Sequence, residues 1–243
     1  MSLSRPLLEF DVAPYRLSGV VYGTLLNHEA ALQALGEAVH AAPYLAPPRA
    51  PVLYLKPRNT LALHGATITV PDESEELELG AALGIVIGRT ACRLAAAQAL
   101  EYVAGYTIVN DICVAHEAFY RPALRLRARD GFCPIGPRVV PAGAIADPNA
   151  LAVQVFVDGE LKQDTSTGQR RRPVAQLLAD VTEFMTLQPG DVLMLGASAG
   201  AARVRAGQQA CIAIEGIGAL VNHFTRSTDS SCTVGSAQAG ARV

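Results

Sequence analysis

Glu76-Leu77-Glu78-Leu79-Gly80-Ala81-Ala82-Leu83-Gly84-Ile85-Val86-Ile87-Gly88 carries two signals in one stretch. Residues 83–87 form an unbroken apolar run, which marks a strand buried on both faces. Ahead of it, Glu76 and Glu78 stand two apart, so on a strand they share one face. Asp72, Glu73 and Glu75 extend the acidic cluster upstream. Two carboxylates on one face can hold a hard divalent cation when a third oxygen ligand arrives from elsewhere. The plainer reading is a solvated turn leading into a buried strand.

Working outward, residues 52–56 are a second short apolar strand. Residues 19–26 are another, followed by a helical stretch over 28–41 and a proline-rich connector over 43–51. The alanine-rich residues 94–104 predict a helix that ends at Gly105. Val153, Val155 and Val157 alternate ahead of Asp158-Gly159, a hairpin signal. Pro173 stands at a first helical position. Leu177, Leu178, Val181, Phe184 and Met185 then recur at helical spacing. Residues 192–195, 211–215 and 219–224 read as closing strands. Many strands, three helices and no regular alternation predict an α+β fold with a β-rich core, not a doubly wound sheet. The expected organisation is an N-terminal arm or small subdomain over 1–50, a core over 51–226, and a disordered Ser/Gly/Ala/Thr tail over 227–243.

Lys and Arg number 20 against 22 Asp and Glu, a net charge of -2. That balance provides no electrostatic footprint for nucleic acid and no polybasic membrane patch. The longest run without a charged residue, 59–71, falls short of the roughly 20 residues of a bilayer span, and the first residues lack an apolar signal core. The five cysteines (92, 113, 133, 211, 232) form no CxxC pair and cannot all be bridged within one chain. The expectation is therefore a reducing, cytoplasmic setting. The five histidines show no HxH or HxxxH spacing, which argues against a zinc site.

Generic catalytic motifs are weak. Gly196-Ala197-Ser198-Ala199-Gly200 has the spacing of a nucleophile elbow, but the residues after it do not read as the helix that motif needs. Gly80, Gly84 and Gly88 make no dinucleotide fingerprint. Arg170-Arg171-Arg172 reads as a solvated loop or as a site that captures a substrate carboxylate.

Several segments together resemble the fumarylacetoacetate hydrolase family. They are residues 54–57 (Tyr-Leu-Lys-Pro), 84–88, 102–107 leading into Asn110-Asp111, 130–137, 157–160, 184–192 and 214–218, in unbroken order from about residue 50 to 225. Residues 26–29, 56–60, 119–123 and 129–134 are similar to the branch that works in homoprotocatechuate (4-hydroxyphenylacetate) degradation, and in particular to the N-terminal half of its isomerase/decarboxylases. The length matches the version in which that half is a separate chain.

The resemblance implies a mixed β-roll with flanking helices, a homodimer or a hetero-oligomer with a homologous subunit, and a small diacid substrate. The reactions would be decarboxylation of 5-carboxymethyl-2-oxo-hex-3-ene-dioate and isomerisation of 2-hydroxyhepta-2,4-diene-dioate. It implies Mg²⁺ or Mn²⁺ as a Lewis acid for an enolate, with Asp111 as a ligand. Lys56, Arg121 and Arg127 would face the diacid.

The chain departs from the family at chemical positions. The family's Glu-x-Glu metal pair falls on Gly80 and Ala82. Glu76 and Glu78 would replace it only with a register shift, since four strand residues span about 13 Å. The family's lysine falls on Arg127, which keeps the charge but is no tunable base. The threonine of its Gly-Thr-Pro turn falls on Ala197. The lid-helix histidine falls near Ala31, with His28 one turn away as the candidate substitute. Two readings follow: a metal-dependent lyase/isomerase, or a catalytically silent partner of a competent homologous chain.

Overall fold

The computed structural model describes residues 17–42, 44–116 and 123–226. Among them the strands are β1 (Val21–Leu25), β2 (Val52–Lys56), β3 (Leu61–Leu63), β4 (Thr67–Val70), β5 (Glu76–Leu79), β6 (Ala81–Ile87), β7 (Val103–Asn110), β8 (Cys113–Val114), β9 (Cys133–Pro141), β10 (Ala152–Val157), β11 (Glu160–Ser166), β12 (Val192–Met194), β13 (Ala202–Arg205), β14 (Gln209–Ile214) and β15 (Gly218–Arg226). Three short α-helices accompany them: α1 (Glu29–Gln33), α2 (Leu124–Arg127) and α3 (Val174–Thr182).

The strands form three sheets. A seven-stranded sheet runs β2-β1-β12-β6-β7-β9-β3, a five-stranded sheet runs β11-β10-β14-β15-β4, and a small sheet runs β13-β5-β8. Most neighbours are antiparallel, but β1/β12, β3/β9 and β4/β15 are parallel. This is the β-rich α+β architecture expected. The apolar run becomes β6, buried along its whole length at the centre of the large sheet. Asp158 and Gly159 both have positive φ, 50° and 82°, as a tight hairpin between β10 and β11 requires. Val174, Leu177, Leu178 and Val181 give α3 its buried stripe.

Two expectations need correction. Residues 94–104 do not form an α-helix: a 3-10 segment covers Ala96–Tyr102 and the chain becomes β7 at Val103. Gly105 is not a helix end but lies inside β7, where an added Cβ would sit 2.2 Å from the Val140 carbonyl oxygen. Its missing side chain lets β9 approach. The helical stretch over 28–41 is likewise broken into α1 and a 3-10 segment over Gly36–His40. β1 lies inside the seven-stranded sheet, paired with β2 and β12. Residues 227–243, the expected tail, lie outside the described residues.

One feature of the topology builds the site. The chain leaves the small sheet and enters the large one between β5 and β6, at Gly80. It makes the reverse passage between β7 and β8, at Asp111. The two corners lie against each other, with the Asp111 amide donating to the Gly80 carbonyl at 2.9 Å.

Candidate functional site

A cavity of about 580 Å³ opens beside these corners. Its apolar wall comes from the end of β1 and from α1 with the residues just after each, through Leu26, Ala31 and Leu35. Its polar wall includes Tyr54, Glu78, Asp111, His116 and Arg127. The loop from Ala197 to Ala201 closes the remaining side.

Asp111 is the hub of the polar wall. Its side chain is 4% exposed and faces two cations. Lys56 Nζ lies 2.9 Å from Oδ1, and Arg127 Nη1 lies 2.7 Å from Oδ2. The Tyr54 hydroxyl also donates to Oδ2. Lys56 is itself fully buried and donates to the carbonyls of Arg127 (2.8 Å) and Ile112 (3.3 Å). The Arg127 guanidinium lies over the Tyr54 ring, 5.3 Å from its centroid, a cation–π contact.

The electrostatics follow from this geometry. Burial alone would raise the Asp111 pKa, but Lys56 and Arg127 outweigh it and hold the carboxyl below its ordinary value. Burial works against the charge on Arg127, and the Asp111 carboxylate more than restores it. Tyr54 is pushed well above 10.0 by burial and by Asp111, so it remains a neutral donor. His116 is lowered by burial and then by Arg127, which leaves a neutral ring at pH 7. Its Nδ1 lies 3.2 Å from the Val114 carbonyl oxygen. Lys56 is fully buried and does not line the cavity, so, contrary to expectation, it does not face a ligand there. It balances Asp111 from behind and leaves Arg127 as the cation this cluster presents to the cavity, suited to a carboxylate ligand.

The sequence-derived candidates have separate fates. Lys56, Asp111 and Arg127 are brought together. Glu76 and Glu78 do share one face of β5, while Leu77 and Leu79 between and beside them are buried. Both glutamates are spent on Arg203 of β13, and Arg205 Nε also lies 3.5 Å from Glu76. Glu78 alone of the pair lines the cavity, beside Cys113. His28 caps α1, with Nδ1 accepting from the Ala30 amide at 3.2 Å, and its ring does not line the cavity. Arg121 lies outside the described residues. Tyr54 and His116 carry no sequence signal as site residues: nothing in their spacing points to a shared wall, because β2 and the segment after β8 meet only in the fold.

The donor set does not suit a divalent metal. Among the described residues no three His, Cys, Asp or Glu side chains converge on a point. The Asp111 carboxylate, the expected ligand, already has a cation or a hydroxyl on each oxygen. Gly80 and Ala82 offer no donor atoms, and Ala82 points into a packed cluster with Val86, Val109 and Met194.

Residues 20–225 match the fumarylacetoacetate (FAA) hydrolase C-terminal family. The chain belongs to the fumarylacetoacetate hydrolase family. It is 37% identical over 206 residues to the 4-hydroxyphenylacetate degradation bifunctional isomerase/decarboxylase of Salmonella dublin, covering 85% of this chain and 47% of that protein. The homoprotocatechuate catabolism bifunctional isomerase/decarboxylase of Escherichia coli is 36% identical over the same shares. The chain thus spans about half the length of these relatives. Among solved structures, a 5-carboxymethyl-2-hydroxymuconate delta-isomerase from Mycobacterium smegmatis superposes with a TM-score of 0.74 at 29% identity, covering 87% of this chain and 80% of that one. Fumarylpyruvate hydrolase from Pseudomonas aeruginosa, in complex with Mn²⁺ and pyruvate, gives 0.73 at 26%, with 88% and 91% covered. A divalent metal thus occurs within this fold family, although the residues that would hold one here do not fit it.

Proposed function

We propose that this chain is a diacid-binding, metal-free unit of a decarboxylase/isomerase in 4-hydroxyphenylacetate (homoprotocatechuate) catabolism. Its ligand class is the 2-oxo or 2-hydroxy-dienoate diacid represented by 5-carboxymethyl-2-oxo-hex-3-ene-dioate and 2-hydroxyhepta-2,4-diene-dioate. The relatives named above support the pathway, and the Arg127 guanidinium in the cavity wall, with Lys56 offsetting the Asp111 charge behind it, supports the diacid. A homologous unit with an intact Glu-x-Glu pair, in the same polypeptide or another, would carry the Mg²⁺ or Mn²⁺ chemistry in a cytoplasmic assembly.

The observation that carries this reading is the state of Asp111. Decarboxylation of a vinylogous keto acid and a 1,3-proton shift both leave an enolate, and a metal stabilises it only when coordinated firmly. Metal affinity depends on the number and charge of ligands. Here one carboxylate is held by Lys56, Arg127 and Tyr54, and the adjacent corner is glycine. Arg127 binds and orients a carboxylate but takes no proton, because its guanidinium stays charged.

The test is an absorbance assay of the purified chain, following loss of the dienoate chromophore with Mg²⁺ or Mn²⁺ and again with EDTA. The expected result is no metal-dependent turnover by the chain alone, and turnover once the homologous unit is added. EDTA-sensitive turnover by the chain alone, lost in Asp111→Ala, would overturn the reading in favour of a self-sufficient metal enzyme.

A further inference from the structure

Arg170 belongs to the basic triplet, yet it is not solvated. It is 6% exposed, and its partners are all neutral. It donates to Ser198 Oγ at 3.1 Å, to the Gly196 carbonyl at 3.2 Å and to the Ser166 carbonyl at 3.4 Å. Its Nε has no partner among the described residues. Among the described residues no carboxylate lies within ion-pair distance of it. Burying an unpaired cation is costly, and proteins seldom retain one without compensation. The cost shows in a pKa lowered to about 10 by burial alone.

The charge is relayed toward the cavity. Ser198 lines that cavity and is itself 7% exposed. Its oxygen accepts from Arg170, so its own hydrogen is turned elsewhere and made a stronger donor by the guanidinium behind it. The loop that carries it is held firmly. Asn27 donates to the Leu195 carbonyl at 2.9 Å, and Gln163 donates to the Ala199 carbonyl at 2.8 Å.

A second polar group meets the same place. Thr24 lines the cavity at 3% exposure, and its Oγ1 has no hydrogen-bond partner among the described residues. The backbone of Thr24 packs against the start of the Ser198 loop, since a Cβ at Gly196 would be 3.0 Å from the Thr24 carbonyl oxygen. Ser198 and Thr24 both line the cavity, and Arg170 stands behind Ser198 outside the lining. A ligand acceptor in the cavity would satisfy the Thr24 hydroxyl.

We propose that Ser198 and Thr24, with Arg170 as the positioning residue behind them, form a second carboxylate subsite, separate from the Arg127–Lys56 cluster. The proposal rests on the reading of the cavity as a diacid site. It adds that the ligand's two carboxylates are held at two places, and that Arg170 supplies the countercharge for one of them.

The experiment is calorimetric titration of the full chain with 2-oxoadipate and with 2-oxopentanoate, which lacks one carboxylate. The wild type is expected to bind the diacid about tenfold or more tightly, the range of one charge-assisted contact. The subsite is assigned to the carboxylate that 2-oxopentanoate lacks, so Ser198→Ala and Arg170→Met should each bring that ratio to within about threefold of unity through a loss of diacid affinity much larger than any change for 2-oxopentanoate. A loss confined to the diacid separates this role from a merely structural one, which would weaken both ligands. If the ratio survives in a folded Ser198→Ala or Arg170→Met protein, or is absent in the wild type, the subsite does not exist. If circular dichroism shows Arg170→Met unfolded, Ser198→Ala and Thr24→Val decide in the same way. If neither acid binds the wild type, the diacid reading itself fails. If both bind and Arg127→Met abolishes both, that reading stands whatever the ratio does.

Discussion

Gly80 lies directly beneath Asp111: a Cβ at Gly80 would stand 2.5 Å from the Asp111 carbonyl oxygen and 2.9 Å from its Cβ. Gly80 is therefore small for a packing reason as well as unable to ligate a metal. The same approach keeps Asp111 against Lys56 and Arg127.

Gly80→Ala is expected to destabilise the protein by about 1–3 kcal/mol, the usual cost of overpacking against backbone. Urea denaturation with an unchanged m-value is the measurement. A variant as stable as the wild type would show that the two corners are not rigidly packed.

Asp111→Asn is expected to cost about 3–5 kcal/mol, because it leaves Lys56 buried with an uncompensated charge. The pH dependence has a definite sign. The folded-state pKa of Asp111 is depressed, so its contribution is present above the unfolded value near about 3.9 and is lost as pH falls through the folded value. Urea midpoints measured from neutral pH downward should show a steeper acid limb in the wild type than in Asp111→Asn. Parallel acid limbs would mean that the ion-pair cluster contributes little.

Thiol reactivity should separate the cysteines. Cys113 and Cys133 are buried, and burial pushes both to about 12. Cys92 is exposed. Brief alkylation of the native protein near pH 8, read by peptide mass spectrometry, should label Cys92 and spare the other two, since the thiolate is the nucleophile. Labelling of Cys113 at the rate of Cys92 would indicate a cavity far more open than its wall suggests.

Thr24→Val should leave the unliganded protein as stable as the wild type or raise its stability by about 1 kcal/mol, because it removes a buried hydroxyl with no partner. Thermal denaturation without ligand tests this. A marked loss of stability would mean that the hydroxyl has a structural partner and is not reserved for a ligand.

Much of the fold was legible because it rests on local patterns. The apolar run at 83–87 could be satisfied only by burial on both faces, and Asp158-Gly159 only by a turn that tolerates positive φ. The alanine-rich stretch at 94–104 misled because helix propensity is a weak prior. Val103 onward gains more by pairing with β6 and β9, and Gly105 proved to be a point of close strand approach.

The sequence by itself determined the family, the β-rich core and the absence of carboxylates at positions 80 and 82. Those are properties of residue order, readable one position at a time. Only the tertiary structure decided that Asp111 is held by Lys56, Arg127 and Tyr54, that Glu76 and Glu78 pair with Arg203, and that Arg170 is buried with no countercharge among the described residues. Each depends on which distant segments meet where the chain passes between sheets. The free energy of a charge is set by those neighbours and by lost water, not by its place along the chain.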